Sequence, residues 1–128
     1  ISNQVHLIVE VCAEPVILGY LSDIEQVLMN LTLNAIQAMK GVGELKITIN
    51  SDDKMGLIEV SDNGPGIPLA IQKLIYEPLF TTKADSGGTG VGLNTVKKII
   101  HRANGTISFM TSSKGTTFTV KWPLSDVD

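Results

Sequence analysis

The longest helical pattern in the chain is the feature that most constrains its fold. Over residues 22–40, apolar side chains recur at the spacing of one helix face. This stripe consists of Ile24, Val27, Leu28, Leu31, Ala35 and Ala38. Ser22 and Glu25 have the spacing of a capping box, and Gly41 supplies a stop. Such a helix must pack its apolar stripe against a second layer of structure.

Strand patterns before and after this helix predict that layer. Residues 5–11 are rich in β-forming residues, and residues 44–50 alternate apolar and polar side chains before the turn DDKMG and a second run at 57–62. Residues 106–111 and 116–122 flank the turn SSKG in the same way. Because hairpins dominate, we expect five strands in a mixed, mostly antiparallel sheet.

Two further helices complete the predicted fold. Residues 69–78 read as a short helix, and a second amphipathic helix ends at Asn104 and Gly105. Its apolar stripe is Leu93, Val96, Ile100 and Ala103. With no internal repeat or linker, residues 1–128 predict a single α/β (α+β) two-layer sandwich backed by three helices.

Composition excludes several kinds of partner. The formal net charge is −3 and the ten Lys and Arg residues are scattered, so neither a nucleic acid nor an anionic membrane surface is expected to bind. No apolar run has the roughly 20 residues of a membrane span, so we expect a cytoplasmic domain. Cys12 stands in an apolar stretch and is predicted to be a buried thiol. Since the chain starts at Ile1, we expect a piece of a longer protein.

Carboxamide side chains form a second stripe on the long helix. Gln26, Asn30, Asn34 and Gln37 fall at spacings of four, four and three. A buried amide without a partner costs about 1 to 3 kcal/mol, so neighbours, water or a ligand must satisfy these groups. Mg²⁺ takes hard oxygen ligands, few of them from protein, and Asn34 is the candidate ligand on this helix.

Two glycine-containing segments suggest a nucleotide. In SDNGPGIP, residues 61–68, Asp62 can accept a hydrogen bond from an amino group such as that of adenine, while Gly64 and Gly66 let a flat ring approach the backbone. The alternative is a turn with a surface aspartate. In SGGTGVGL, residues 86–93, a glycine-rich segment runs into a helix N-terminus, which favours phosphate; the alternative is a flexible linker. Residues 81–90, TTKADSGGTG, are polar and contain glycines, so we expect them to form a mobile loop.

The order of these segments resembles a known family. The succession QVLMNLTLNAIQA, DNGPGIP, YEPLFTTK and GGTGVGL resembles the N, G1, F and G2 boxes of the ATP-binding catalytic domain of sensor histidine kinases. These belong to the Bergerat-fold superfamily with gyrase B, Hsp90 and MutL. The resemblance covers essentially the whole chain. It implies ATP as the nucleotide and Mg²⁺ as the metal ion.

The resemblance also implies roles for residues at the matching positions. Asn30 and Asn34 would be the paired N-box asparagines, with Asn34 the Mg²⁺ ligand. Asp62 would accept a hydrogen bond from the adenine amino group. Lys83 would be the basic partner of the phosphates, because Gln37 stands where many family members carry Lys or Arg. The further nucleotide-binding positions are Gly64, Gly66, Ile67, Phe80, Gly88, Thr89, Gly90, Val91, Gly92, Leu93 and Thr116.

One position distinguishes kinases from hydrolases in this superfamily. The hydrolytic members carry Glu four residues before the second asparagine, and this chain has Asn30 there. A neutral amide cannot accept a proton from water at pH 7. The resemblance therefore implies phosphoryl transfer to a histidine on a separate dimerisation domain of the same protein, with a response regulator downstream. The fragment is expected to be a monomer and the full-length protein a homodimer. The alternatives are an ATP-hydrolysing clamp and a non-catalytic ATP sensor.

Overall fold

The computed structural model of the chain describes residues 4–77 and 92–125. Within these ranges the chain forms five strands, two α-helices and one 3₁₀ helix. In chain order they are β1 (Val5–Val11), α1 (Leu21–Ala38), β2 (Gly43–Ser51), β3 (Met55–Asp62), the 3₁₀ helix Leu69–Leu74, α2 (Gly92–Arg102), β4 (Thr106–Ser112) and β5 (Gly115–Pro123).

The five strands form one mixed sheet in the order β1-β2-β3-β5-β4. The first pair, β1 and β2, is parallel, and the other three pairs are antiparallel. The helix α1 packs on β2 and β3, α2 packs on β4 and β5, and the two helices contact each other. This arrangement confirms the predicted two-layer sandwich, with the short third helix in the 3₁₀ conformation.

The hydrophobic core lies between the sheet and the two α-helices. It is built by α1 through Val27, Leu31 and Ala35, by α2 through Val96, Ile99 and Ile100, and by the sheet through Leu45, Val60, Phe118, Val120 and Trp122. Burying each Leu, Ile, Val or Phe side chain stabilises the fold by about 1.5 to 3 kcal/mol. The two helices are thereby held side by side over the same sheet, which fixes where their polar faces meet.

The start of α1 differs from the prediction. The helix begins at Leu21, and the extended Tyr20 precedes it. The Tyr20 carbonyl accepts the N–H groups of Asp23 and Ile24, at 3.0 and 3.2 Å. Among the described residues no side chain caps this end. The predicted capping box is therefore wrong, because Ser22 already lies inside the first turn.

Both α-helices end in the same motif. After α1, Lys40 has a φ of +57°, and the N–H of Gly41 donates to the carbonyl of Ile36 at 3.0 Å. After α2, Asn104 has a φ of +63°, and the N–H of Gly105 donates to the carbonyl of Ile100 at 2.9 Å. These are Schellman ends, which satisfy carbonyls that a helix leaves unpaired.

The position of Cys12 corrects a prediction. Cys12 follows β1 at the edge of the sheet and is exposed, rather than buried. Its Sγ donates a hydrogen bond to Glu10 at 3.4 Å, and this contact raises the pKa of the thiol. The apolar sequence around Cys12 does not bury it, because α1 packs on β2 and β3, and β1 at the edge of the sheet is largely exposed.

None of the described helices is long and apolar enough to span a bilayer.

Candidate nucleotide-binding site

Three polar residues from three strands form one row across the sheet. The register pairs Thr111 of β4 with Thr116 of β5, and Thr116 with Asp62 of β3. Two residues further along each of these strands, on the same face of the sheet, lies an apolar row that contains Phe109, Phe118 and Val60. The polar row thus lies where the apolar core ends, on the face of the sheet that carries the helices.

Asp62 ends β3 and is 8% exposed. Its Oδ1 accepts the N–H of Gly64 at 2.9 Å, and the backbone N–H of Thr116 also stabilises the carboxylate. Burial outweighs these two hydrogen bonds and raises the pKa of Asp62. When ionised, this side chain can only accept hydrogen bonds, so a ligand amino group is a suitable partner.

The turn after Asp62 is pressed against the β4–β5 hairpin. Gly66 has a φ of +84°, and a Cβ atom at this position would collide with the carbonyl oxygen of Ser112. The sequence suggests that this glycine makes room for a flat ring. The structure gives a different reason at Gly66, since the close neighbour is the backbone of β4. At Gly64, a Cβ would lie 3.1 Å from Asp62 Oδ1.

Thr111 connects this turn to the strand row. The N–H of Ile67 donates to Thr111 Oγ1 at 2.8 Å, and the hydroxyls of Thr111 and Thr116 share a hydrogen bond of 2.8 Å. Sequence reasoning missed Thr111. The available signal was the alternation along β4, which puts Thr111 on the same face as Ile107 and Phe109, as the polar end of an apolar row.

Asn30 joins the two α-helices. Its Nδ2 donates to the carbonyl oxygen of Gly92, the first residue of α2, at 3.1 Å. Since a carbonyl can only accept, Asn30 Oδ1 must point the other way, where Gln26 Nε2 donates to it at 2.8 Å. Both polar atoms of the Asn30 carboxamide are therefore engaged within the protein.

Asn34 lies one turn further along α1 and is half-buried. Among the described residues no group forms a hydrogen bond with its carboxamide. The described residues also contain no cluster of three or more His, Cys, Asp or Glu side chains suited to a metal ion. A cation held here would depend on a neutral oxygen such as that of Asn34, together with oxygens of its ligand, which is a donor set that suits Mg²⁺.

The N-terminus of α2 faces the same region. Gly92 and Leu93 open the helix, and no acidic side chain occupies its first turn. The unpaired N–H groups and the helix dipole at such an end favour an anion. Six predicted site residues lie outside the described ranges, namely Phe80, Lys83, Gly88, Thr89, Gly90 and Val91.

Tyr76, near the end of the first described range, contacts α2 and β4. Lys97 Nζ of α2 lies 4.8 Å from the centre of the Tyr76 ring, and the ring centre of Phe109 is 6.3 Å away. Burial raises the pKa of Tyr76 to about 12, and its hydroxyl has no hydrogen-bond partner in the part of the chain that the structure describes. The contact with Lys97 is a cation–π interaction.

Comparison with known proteins identifies the family of this arrangement. Residues 19–126 match the family described as histidine kinase-, DNA gyrase B-, and HSP90-like ATPase. The chain belongs to this family. Because this is a family of ATPases, the polar row, the N-terminus of α2 and the asparagines of α1 are together the candidate ATP site.

Named relatives in this ATPase family are sensor kinases. The chain is 40% identical over 104 residues to the signal transduction histidine-protein kinase AtoS of Escherichia coli K12. The matched segment is 80% of this chain and 17% of AtoS. It is 35% identical over 102 residues to the sensor histidine kinase GlnK of Bacillus subtilis 168, covering 77% of this chain and 25% of GlnK. The chain thus spans a quarter or less of these two relatives.

Solved structures of the family confirm the fold. The catalytic domain of histidine kinase ThkA is 33% identical and superposes with a TM-score of 0.82, covering 94% of this chain and 80% of the ThkA chain. The mixed five-stranded sheet with its helices is therefore the fold of a histidine kinase catalytic domain.

Proposed function

We propose that this chain is the ATP-binding catalytic domain of a two-component sensor histidine kinase. It binds Mg-ATP and directs the γ-phosphoryl group to a histidine on a separate phosphoacceptor and dimerisation domain of the same protein. A response regulator is then the next phosphoryl acceptor. The family membership and the names of AtoS and GlnK support this assignment.

The hydrogen bonds of Asn30 are the observation that carries the proposal. Its Oδ1 accepts from Gln26 and its Nδ2 donates to Gly92, so the carboxamide links α1 to α2. A neutral amide also cannot remove a proton from water. ATP bound beside α1 therefore keeps its γ-phosphate until an outside nucleophile arrives.

The base end of the nucleotide is assigned to the row on the sheet. Asp62 accepts a hydrogen bond from the adenine amino group, and Thr116, which is 5% exposed, lies beside the ring. Gly64, Gly66 and Ile67 border the base. The carboxylate and the hydroxyl together offer an acceptor and a donor, which a flat purine with an amino group can match.

The phosphate end is assigned to the two α-helices. Asn34 holds Mg²⁺ through its carboxamide oxygen, and Gly92 and Leu93 present the N-terminus of α2 to the phosphates. The ion neutralises phosphate charge, and the remainder of the catalysis is positioning. Lys83 is the proposed basic partner, with Phe80 and the segment Gly88, Thr89, Gly90 and Val91 around the phosphates.

The whole protein is proposed to be a homodimer, with this domain in the cytoplasm where ATP is available. The 128-residue chain is expected to be a monomer, because dimerisation is assigned to the separate domain. Neither nucleic acid nor a membrane surface is proposed as its partner.

Calorimetry with ATP tests the proposal on the chain itself. With Mg²⁺ present we expect saturable binding, with ATP still intact after hours. Asn34→Ala is expected to remove the dependence of ATP affinity on Mg²⁺, whereas Asn50→Ala, an exposed asparagine of β2, should leave it unchanged. Steady phosphate release that Asn34→Ala abolishes would instead identify an ATP-hydrolysing enzyme.

A further inference from the structure

Thr111 occupies the point where the turn after Asp62 meets the β4–β5 hairpin. Its Oγ1 accepts the N–H of Ile67 at 2.8 Å and shares a hydrogen bond of the same length with Thr116 Oγ1. A weaker contact of 3.4 Å runs to the carbonyl of Gly115. One hydroxyl thus contacts the turn and the neighbouring strand together.

The backbone around Thr111 leaves little room for alternatives. A Cβ at Gly66 would collide with the Ser112 carbonyl, and a Cβ at Gly115 would collide with the Asp62 carbonyl. Next to Thr111, the β4–β5 hairpin is therefore in direct backbone contact with the turn at Gly66 and with the end of β3 at Asp62. Because the N–H of Ile67 can only donate and a hydroxyl has two lone pairs, Thr111 satisfies Ile67 and still holds Thr116.

From this geometry we infer that Thr111 is a positioning residue for the base end of the nucleotide site. It does not need to contact the ligand. It fixes the Ile67 segment of the turn and the hydroxyl of Thr116 in the places where a base would meet them. The inference rests on the proposed function, since it concerns the same ATP site.

The chain contains a matched comparison on the opposite face of the sheet. Ser61 and Thr117 also share a hydroxyl hydrogen bond of 2.8 Å between β3 and β5. Thr117 follows Thr116 directly, so its side chain points away from the helices. Removing this second pair should affect the strands in a similar way without touching the proposed site.

The experiment measures the affinity of the 128-residue chain for Mg-ATP and Mg-ADP by calorimetry, and its stability by urea unfolding. Thr111→Val keeps the shape but removes the hydroxyl, and we expect it to weaken both nucleotides by about ten-fold, by the same factor because the defect lies at the base end. Thr111→Ser should remain within about two-fold of the unmodified chain, as should Thr117→Val.

Hydrogen exchange at the Ile67 amide gives a second readout that needs no nucleotide. It should be faster in Thr111→Val and unchanged in Thr117→Val. If Thr111→Val does not fold, Thr111→Cys replaces it, since a thiol accepts hydrogen bonds only weakly. The affinity of Thr111→Cys for Mg-ATP and Mg-ADP should then be lower than that of the unmodified chain.

Two results would overturn the inference alone: Thr111→Val binding both nucleotides as tightly as the unmodified chain, or Thr117→Val losing as much affinity as Thr111→Val. If the unmodified chain bound neither nucleotide, the proposed function would fall and the inference with it.

Discussion

Individual polar residues around the site differ in how much of their hydrogen-bonding capacity the protein already uses. Asn30 spends both polar atoms on Gln26 and Gly92, whereas Asn34 has no partner among the described residues. Asp62 accepts from the backbone but is buried enough that its charge is disfavoured. These differences support the proposed roles: Asn30 links the two helices through Gly92, and Asn34 and Asp62 are the proposed ligand-binding groups.

The raised pKa of Asp62 predicts a pH dependence of stability. Below the pKa of an ordinary aspartate the group is protonated in both the folded and the unfolded chain, and it has no effect. As the pH rises through the higher folded-state pKa, the folded chain must carry a desolvated carboxylate, so the free energy of unfolding falls. Asp62→Asn removes this term and should gain stability relative to the unmodified chain between pH 4 and pH 7.

Urea unfolding at those two pH values measures the difference, and ATP affinity supplies the functional counterpart. Affinity of the unmodified chain should decline on acidification at a higher pH than an ordinary aspartate would give. An unchanged stability difference between Asp62→Asn and the unmodified chain at the two pH values would contradict the assigned cause.

Single residues could be predicted from sequence where a motif fixes the local environment. The placement of Asp62 at the end of a strand and of Asn30 on the long helix follows from the sequence in this way. Thr111 was not, because its partners Ile67 and Thr116 become visible only once the register of β4 and β5 is known. Cys12 was wrongly predicted as buried, since an apolar sequence does not reveal that its strand lies at an uncovered edge.

Among the connections between secondary-structure elements, the turn between β3 and the 3₁₀ helix has strict backbone requirements at Gly66. We predict that Gly66→Ala lowers the free energy of unfolding by about 2 kcal/mol or more, because an alanine there adopts an unfavourable positive φ and collides with Ser112. Gly92→Ala is the matched control. Among the described residues, a Cβ at Gly92 meets only Asn30 atoms at 4.0 Å, and alanine favours a helix.

Urea unfolding without nucleotide compares these two variants. Gly92→Ala should be as stable as the unmodified chain or more stable by up to about 1 kcal/mol. Equal stability of Gly66→Ala and the unmodified chain would show that the turn is not pressed against β4 as described.

Element identity was predictable because periodicity differs between helices and strands. All five strands and both α-helices were expected, and the Gly41 and Gly105 stops were correct. The capping box of Ser22 and Glu25 failed because the backbone of Tyr20 supplies the first acceptors of α1. Helix-end geometry depends on such backbone contacts, which a spacing rule does not contain.

The molecule as a whole carries a net charge of −3, so it has no general attraction for a nucleotide. Binding must therefore come from local groups. The two-layer fold brings these groups together, because α1 and α2 pack side by side over the sheet whose polar row contains Asp62 and Thr116. The positions between residues 78 and 91 remain predictions from the sequence resemblance.

The central claim is that this site holds ATP for an outside histidine rather than for water. The most direct test follows γ-labelled ATP in the full-length protein, comparing label on protein with label released as phosphate. We predict an acid-labile, base-stable phosphohistidine outside residues 1–128, which Asn34→Ala abolishes. Release of the label as phosphate with none on histidine would contradict the account.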